Sequence, residues 1–129
     1  MLKTGILNPD IRSLLARIRH TNTLVISDRG FPFWPTIETI DISLVDDVPT
    51  VLQVLNAVRL NFVVGRVFMA SQFSDANSPE TKAAFATALD GIPLTYEDHD
   101  IFKERIPKAI GLIRTGDTIQ YANMVLESA

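Results

Sequence analysis

Thr23-Leu24-Val25-Ile26-Ser27 runs straight into Asp28-Arg29-Gly30. Three consecutive apolar residues, two of them β-branched, leave the segment without a polar face. It therefore reads as a strand covered on both sides, and the Asp-Arg-Gly turn signal marks its end. A doubly covered strand needs helices on both faces, and the flanking sequence supplies them. Upstream, Asn8-Pro9-Asp10 is a helix start: Asn8 serves as N-cap, Pro9 takes the first helical position and Asp10 lies near the positive end of the dipole. Ile11, Leu14, Leu15 and Ile18 then recur at helical spacing on one face. Downstream, Phe31-Pro32-Phe33-Trp34-Pro35 has two prolines and reads as an aromatic loop. Glu38 to Ser43 alternates like a strand, and Pro49 opens a second helix carrying Val51, Leu52, Leu55 and Val58. Val63 to Ala70 predicts a strand, and Ser78-Pro79 starts a helix that reaches Leu89 and stops near Gly91. Leu94 to Glu97 is a short strand, after which Asp98 caps a helix from His99 to about Arg105. Ala109 to Arg114 and Tyr121 to Leu126 read as two last strands around a Thr115-Gly116-Asp117 turn. The alternation predicts one α/β domain over residues 1–129, a three-layer α/β/α arrangement with a mostly parallel, mixed sheet. Ligands of such sheets sit beyond the carboxyl ends of the strands, and Asp28 and His99 both fall just after predicted strands.

Composition narrows the chemistry. Twelve basic against fifteen acidic residues give a net charge of −3, which argues against a nucleic-acid partner. The absence of Cys removes disulfides, thiolate metal sites and Cys nucleophiles, and two His are too few for a multi-histidine metal site. There is no P-loop, dinucleotide fingerprint or Gly-x-Ser-x-Gly elbow, so neither cofactor nor metal is expected. No apolar run approaches the ~20 residues of a membrane span. Met1 to Leu7 lacks the apolar stretch of a signal peptide, so no membrane partner and a cytoplasmic location are expected.

The polar candidates each have a plain structural role and a chemical one. His20, following Arg19, either complements the negative end of the first helix or acts as a general acid or base. Asp28 is either a turn residue or the carboxylate that fixes the His20 tautomer. His99 is a helix-start polar residue or a ligand group, with Lys103 one turn along the same face. Tyr121 and Asn123, two apart on a predicted strand, would point to one side and offer donors and acceptors for vicinal hydroxyls. Trp34, Phe31 and Phe33 either stack on a sugar face or pack an interface. Asp46-Asp47 is read as a solvated turn.

Taken together, these positions resemble the D-ribose pyranase and L-fucose mutarotase family. The likeness runs from Lys3-Thr4-Gly5-Ile6-Leu7-Asn8-Pro9-Asp10-Ile11 and Arg19 to Asp28, through Ile40 to Leu44 and Val48 to Leu55. It closes with His99-Asp100-Ile101-Phe102-Lys103, Ile113 to Asp117 and the triplet Tyr121-Ala122-Asn123. The resemblance implies a cofactor-independent isomerase that opens and recloses cyclic monosaccharides, closer to ribose pyranases than to fucose mutarotases. It implies His20 as proton donor, with Asp28 orienting it or binding a hydroxyl. Asp28, His99, Lys103 and the Tyr121-Ala122-Asn123 triplet would bind the sugar. Family members form pentamer rings stacked as decamers in which adjacent subunits complete each pocket. A homo-oligomer, decamer before pentamer, is therefore expected, with Tyr121-Ala122-Asn123 meeting His20 and Asp28 across a subunit boundary. Arg29 stands where the resemblance implies a small residue. An L-fucose mutarotase, a sugar-binding accessory protein without activity and a purely structural oligomer module are the competing readings.

Overall fold

The computed structural model describes residues 1–129. Helix α1 spans Pro9–Ala16, and the Asn8 side chain accepts the Asp10 and Ile11 amides at 3.0 Å each, as the sequence predicts. Strand β1 is Thr23–Ser27 and β2 is Glu38–Asp41. Helix α2 covers Val51–Arg59 and is capped by a reciprocal Thr50–Gln53 box, so Pro49 lies outside it rather than opening it. Strand β3 (Val64–Ala70) leads into a short helix α3 (Gln72–Ala76) that the sequence pattern does not announce. Ser78 caps α4 (Pro79–Ala88), and β4 (Leu94–Glu97) is followed by α5 (His99–Arg105) with Asp98 as its cap. A 3-10 turn at Ile106–Lys108 precedes β5 (Gly111–Arg114), and β6 is Met124–Ser128.

The six strands form one sheet in the order β2-β5-β1-β6-β3-β4. The pairs β2/β5, β5/β1 and β3/β4 are parallel, whereas β6 runs antiparallel to both β1 and β3. The sheet is thus mostly parallel and mixed, as expected, with one reversed strand near its centre. The last two strands are not neighbours across the Thr115-Gly116-Asp117 turn, because β1 lies between them.

Alternating side chains divide the core into two. Leu24, Ile26, Val67, Met69, Ile113, Met124 and Leu126 pack on one face under α1, α2, α4 and Phe73 of α3. On the other face Val25, Phe68, Leu112 and Val125 meet Phe31, Phe102, Ile106 and Ala109. The three layers are therefore four helices, the sheet, and α5 together with the aromatic loop. The loop is half internal: Phe31 is buried, Trp34 is half-buried and Phe33 is 70% exposed.

Candidate functional site

Parallel strands β1, β3 and β4 all point their carboxyl ends to one edge of the sheet. Strand β6, being reversed, enters the sheet from that same edge. Residues that follow β1 and β4 therefore meet residues that precede β6. Asp28 comes from the first group, His99 from the α5 start, and Tyr121 and Asn123 from the β6 approach. These four line a shallow cavity of about 330 Å³ together with Gly30, Phe31, Pro32 and Gln120.

The Asn123 side chain is buried, and its Oδ1 accepts the Asp28 backbone N–H at 2.8 Å. Asp28 Oδ1 in turn accepts the Gly30 amide at 3.0 Å. Burial pushes the Asp28 carboxyl above its ordinary range; bonds from the Gly30 amide, the Asn123 side chain and the Phe31 amide oppose this, and the Asp117 charge adds to it. Asp117 is itself buried and accepts the Val51 amide on Oδ2 and the Ile119 amide on Oδ1, each at 2.8 Å. It joins the start of α2 to the loop that precedes β6.

Tyr121 has φ of 56°, in the left-handed region, and precedes β6 rather than belonging to it. Tyr121 and Asn123 therefore reach the cavity from a turn and not by strand alternation, which corrects the sequence reading of a shared strand face. The Tyr121 ring meets His99 edge-on, with centroids 5.2 Å apart at 82°. On its other side His99 stacks on Phe102 at 6.1 Å and 16°. His99 Nδ1 is enclosed without a hydrogen-bond partner, which leaves Nε2 as the ring nitrogen able to meet a ligand.

Three expected site residues stand elsewhere. His20 is exposed and precedes β1, while Asp28 follows it. Five strand residues at roughly 3.3 Å each put about 17 Å between the two ends, so Asp28 cannot orient His20 within one chain. Lys103 does not line the cavity; its ammonium lies 3.4 Å from the Asp100 carboxylate. The Ala122 side chain is fully buried in the helix-covered core and spaces its neighbours rather than facing the cavity. The Asp28–Asn123 contact is made inside one chain, not across a boundary as expected. Gly30 and Pro32 are read from sequence only as turn and loop residues, and nothing in the sequence marks Gln120. No group of three or more His, Asp or Glu side chains is placed to hold a metal ion.

What the cavity can do follows from its walls. It presents a carboxyl with raised proton affinity, an imidazole nitrogen, a phenol and an amide, with an aromatic floor at Phe31. That set suits a small polyhydroxylated molecule that must be gripped and have protons moved on it. The model of the RbsD / FucU transport protein family matches residues 1–129. The D-ribose pyranase of Geobacillus kaustophilus is 37% identical over 128 residues, covering 99% of this chain and 93% of that protein. The solved structure of Bacillus subtilis RbsD complexed with D-ribose superposes with a TM-score of 0.92 at 29% identity, covering 100% of this chain and 98% of the other. The fucose mutarotase of Streptococcus pneumoniae, solved in complex with L-fucose, has a TM-score of 0.83 at 21% identity, covering 99% and 98%, and shares the fold.

Proposed function

The chain belongs to the RbsD / FucU family, and from that premise we propose that it is an isomerase that interconverts the ring forms of a monosaccharide, D-ribose first among them. The observation that carries this reading is the convergence of Asp28, His99, Tyr121 and Asn123 on one cavity at the carboxyl edge of the sheet. D-ribose is favoured over L-fucose because D-ribose pyranases are the relatives at 37% identity over the full chain, whereas the fucose mutarotase likeness is one of fold.

Ring opening removes a proton from the anomeric hydroxyl and delivers one to the ring oxygen as the bond between that oxygen and the anomeric carbon breaks. The open aldehyde then recloses on either face or through another hydroxyl, and the two proton movements reverse. In this reading Asp28 takes the anomeric proton. Its burial makes it a stronger base than a free carboxylate, and its neighbours hold it by uncharged hydrogen bonds. His20 is the proton donor. Since it stands at the far end of β1, it comes from a second copy of the chain. His99 Nε2, Tyr121 and Asn123 hold the remaining hydroxyls in register, and Lys103 adds a contact once copies assemble.

A site completed by another copy requires a closed homo-oligomer, here a decamer before a pentamer. Exposed Phe33, Leu44 at 77% and Val45 at 62% supply apolar surface for it. No helix is long and apolar enough to cross a membrane, and the family resemblance supports a cytoplasmic location.

The test is equilibrium exchange NMR on D-ribose and L-fucose. Wild-type protein should accelerate exchange between ribose ring forms, and His20→Ala should lose about 10²-fold or more while staying folded. Exchange at the uncatalysed rate in wild type would refute the activity, and undiminished exchange in His20→Ala would remove His20 from the mechanism.

A further inference from the structure

Gln72 opens α3 two residues beyond the end of β3 and lies outside the cavity. Its side chain nevertheless reaches the start of α5. Gln72 Oε1 accepts the His99 backbone N–H at 3.1 Å, and the Ser71 hydroxyl lies 3.3 Å from the same oxygen. Gln72 Nε2 donates to Asp98 Oδ2 at 3.1 Å, while Asp98 Oδ1 accepts the Asp100 amide at 2.9 Å. One primary amide thus accepts from a backbone amide and donates to a carboxylate. An amide–carboxylate pair of this kind cannot be copied by Glu, which would face Asp98 with a like charge, nor by an apolar residue, which would leave the His99 N–H without this partner.

The His99 ring makes no hydrogen bond that would fix it directly. Its Nδ1 is unpartnered, and packing against Phe102 and Tyr121 is what surrounds it. The ring therefore follows its backbone, and Gln72 fixes that backbone. We infer that Gln72 is a positioning residue that ties the end of β3 to His99 and so sets where His99 Nε2 meets the ligand. The inference rests on the ring-form reading for the identity of that ligand, a monosaccharide, but not for the geometry.

The experiment is a double-mutant cycle on the assembled protein with D-ribose as probe. Gln72→Ala should raise the D-ribose Kd about tenfold, the loss expected when the part-buried His99 amide loses its partner and the ring it carries shifts. Gln72→Glu keeps an acceptor for His99 but sets a charge against Asp98, and it should show a loss of similar size. On a His99→Ala background Gln72→Ala should add less than about twofold, because the residue through which it acts is gone. The imidazole signals of His99 in the ligand-free protein should shift in both single variants. Full additivity in the cycle, or unchanged affinity with unmoved imidazole signals in both variants, would overturn the inference. Should Gln72→Ala not fold, Gln72→Glu carries the same cycle. Failure of wild type to bind D-ribose would count against the ring-form reading alone, since the ligand-free imidazole signals still decide whether Gln72 positions His99.

Discussion

Asp28 and Asn123 are joined in the cavity wall, the Asn123 Oδ1 accepting the Asp28 amide. Burial disfavours the Asp28 carboxylate, so its folded pKa lies above the unfolded value. Between those two values the native state binds more protons than the unfolded chain. The stability Asp28 contributes is therefore present below the ordinary carboxylate range and is lost as pH rises through the folded pKa. Relative to Asp28→Asn, which cannot titrate, wild type should gain in melting temperature as the pH is lowered from neutral. A difference that is flat with pH, or that moves the other way, would show that Asp28 is not held above its ordinary range. Asn123 has a second task, since its Oδ1 is the partner of the Asp28 amide. Asn123→Ala leaves that amide without it and should cost about 1–3 kcal/mol in urea unfolding. It should weaken sugar binding in the same variant. Loss of stability without loss of affinity would confine Asn123 to a structural role.

Elements bring these residues together through one reversal: β6 enters between β1 and β3 from the edge where those strands end. The loop before it is braced by the segment after β2. Asp47 donates its amide to the Gly116 carbonyl at 2.6 Å, and its carboxylate accepts the Thr118 amide at 3.0 Å and hydroxyl at 2.7 Å. The Thr118 hydroxyl first and its amide second draw the Asp47 carboxyl below its ordinary range. A Cβ at Gly116 would lie 2.8 Å from the Val48 carbonyl oxygen and closer still to that of Val45, both backbone atoms that cannot swing aside. Gly116→Ala should thus lower stability by about 1–3 kcal/mol through a shift in the urea midpoint, without a change in slope. An unshifted midpoint would mean the two loops part without cost. Local patterns of this kind divide into those legible in sequence and those set by distant packing. The bounds of β1, β4 and α5 follow from apolar runs and an Asp cap. Helix α3 has no signal in the sequence because Phe73 is its only buried residue, which leaves no period to read. Tyr121-Ala122-Asn123 reads as strand in the sequence because it continues into the apolar Met124-Val125-Leu126 run. Its left-handed turn at Tyr121 is imposed by the approach to the sheet and has no glycine to signal it. Residue type and resemblance point to Asp28, His99, Tyr121 and Asn123, which the fold brings to one cavity, whereas neither marks Gln120 or Gln72, whose contacts depend on how distant segments pack.

At the scale of the whole molecule, the proposed mechanism leaves one chain with an incomplete site. Asp28, His99, Tyr121 and Asn123 lie at one edge of the sheet and His20 lies at the other, about 17 Å apart by the length of β1. The central claim is that closed assembly brings His20 of one copy to the cavity of the next. His20→Ala subunits have intact cavities but no donor, and Asn123→Ala subunits have a donor but a damaged cavity. The most direct measurement mixes these two inactive proteins, allows subunits to exchange, follows mass by native mass spectrometry and reads D-ribose ring-form exchange by NMR. The account predicts that neither protein is active alone and that mixed oligomers regain activity, because some boundaries pair an intact cavity with an intact His20. Mixed oligomers that form and remain as inactive as their parents, or a monomer as active as the assembly, would contradict it.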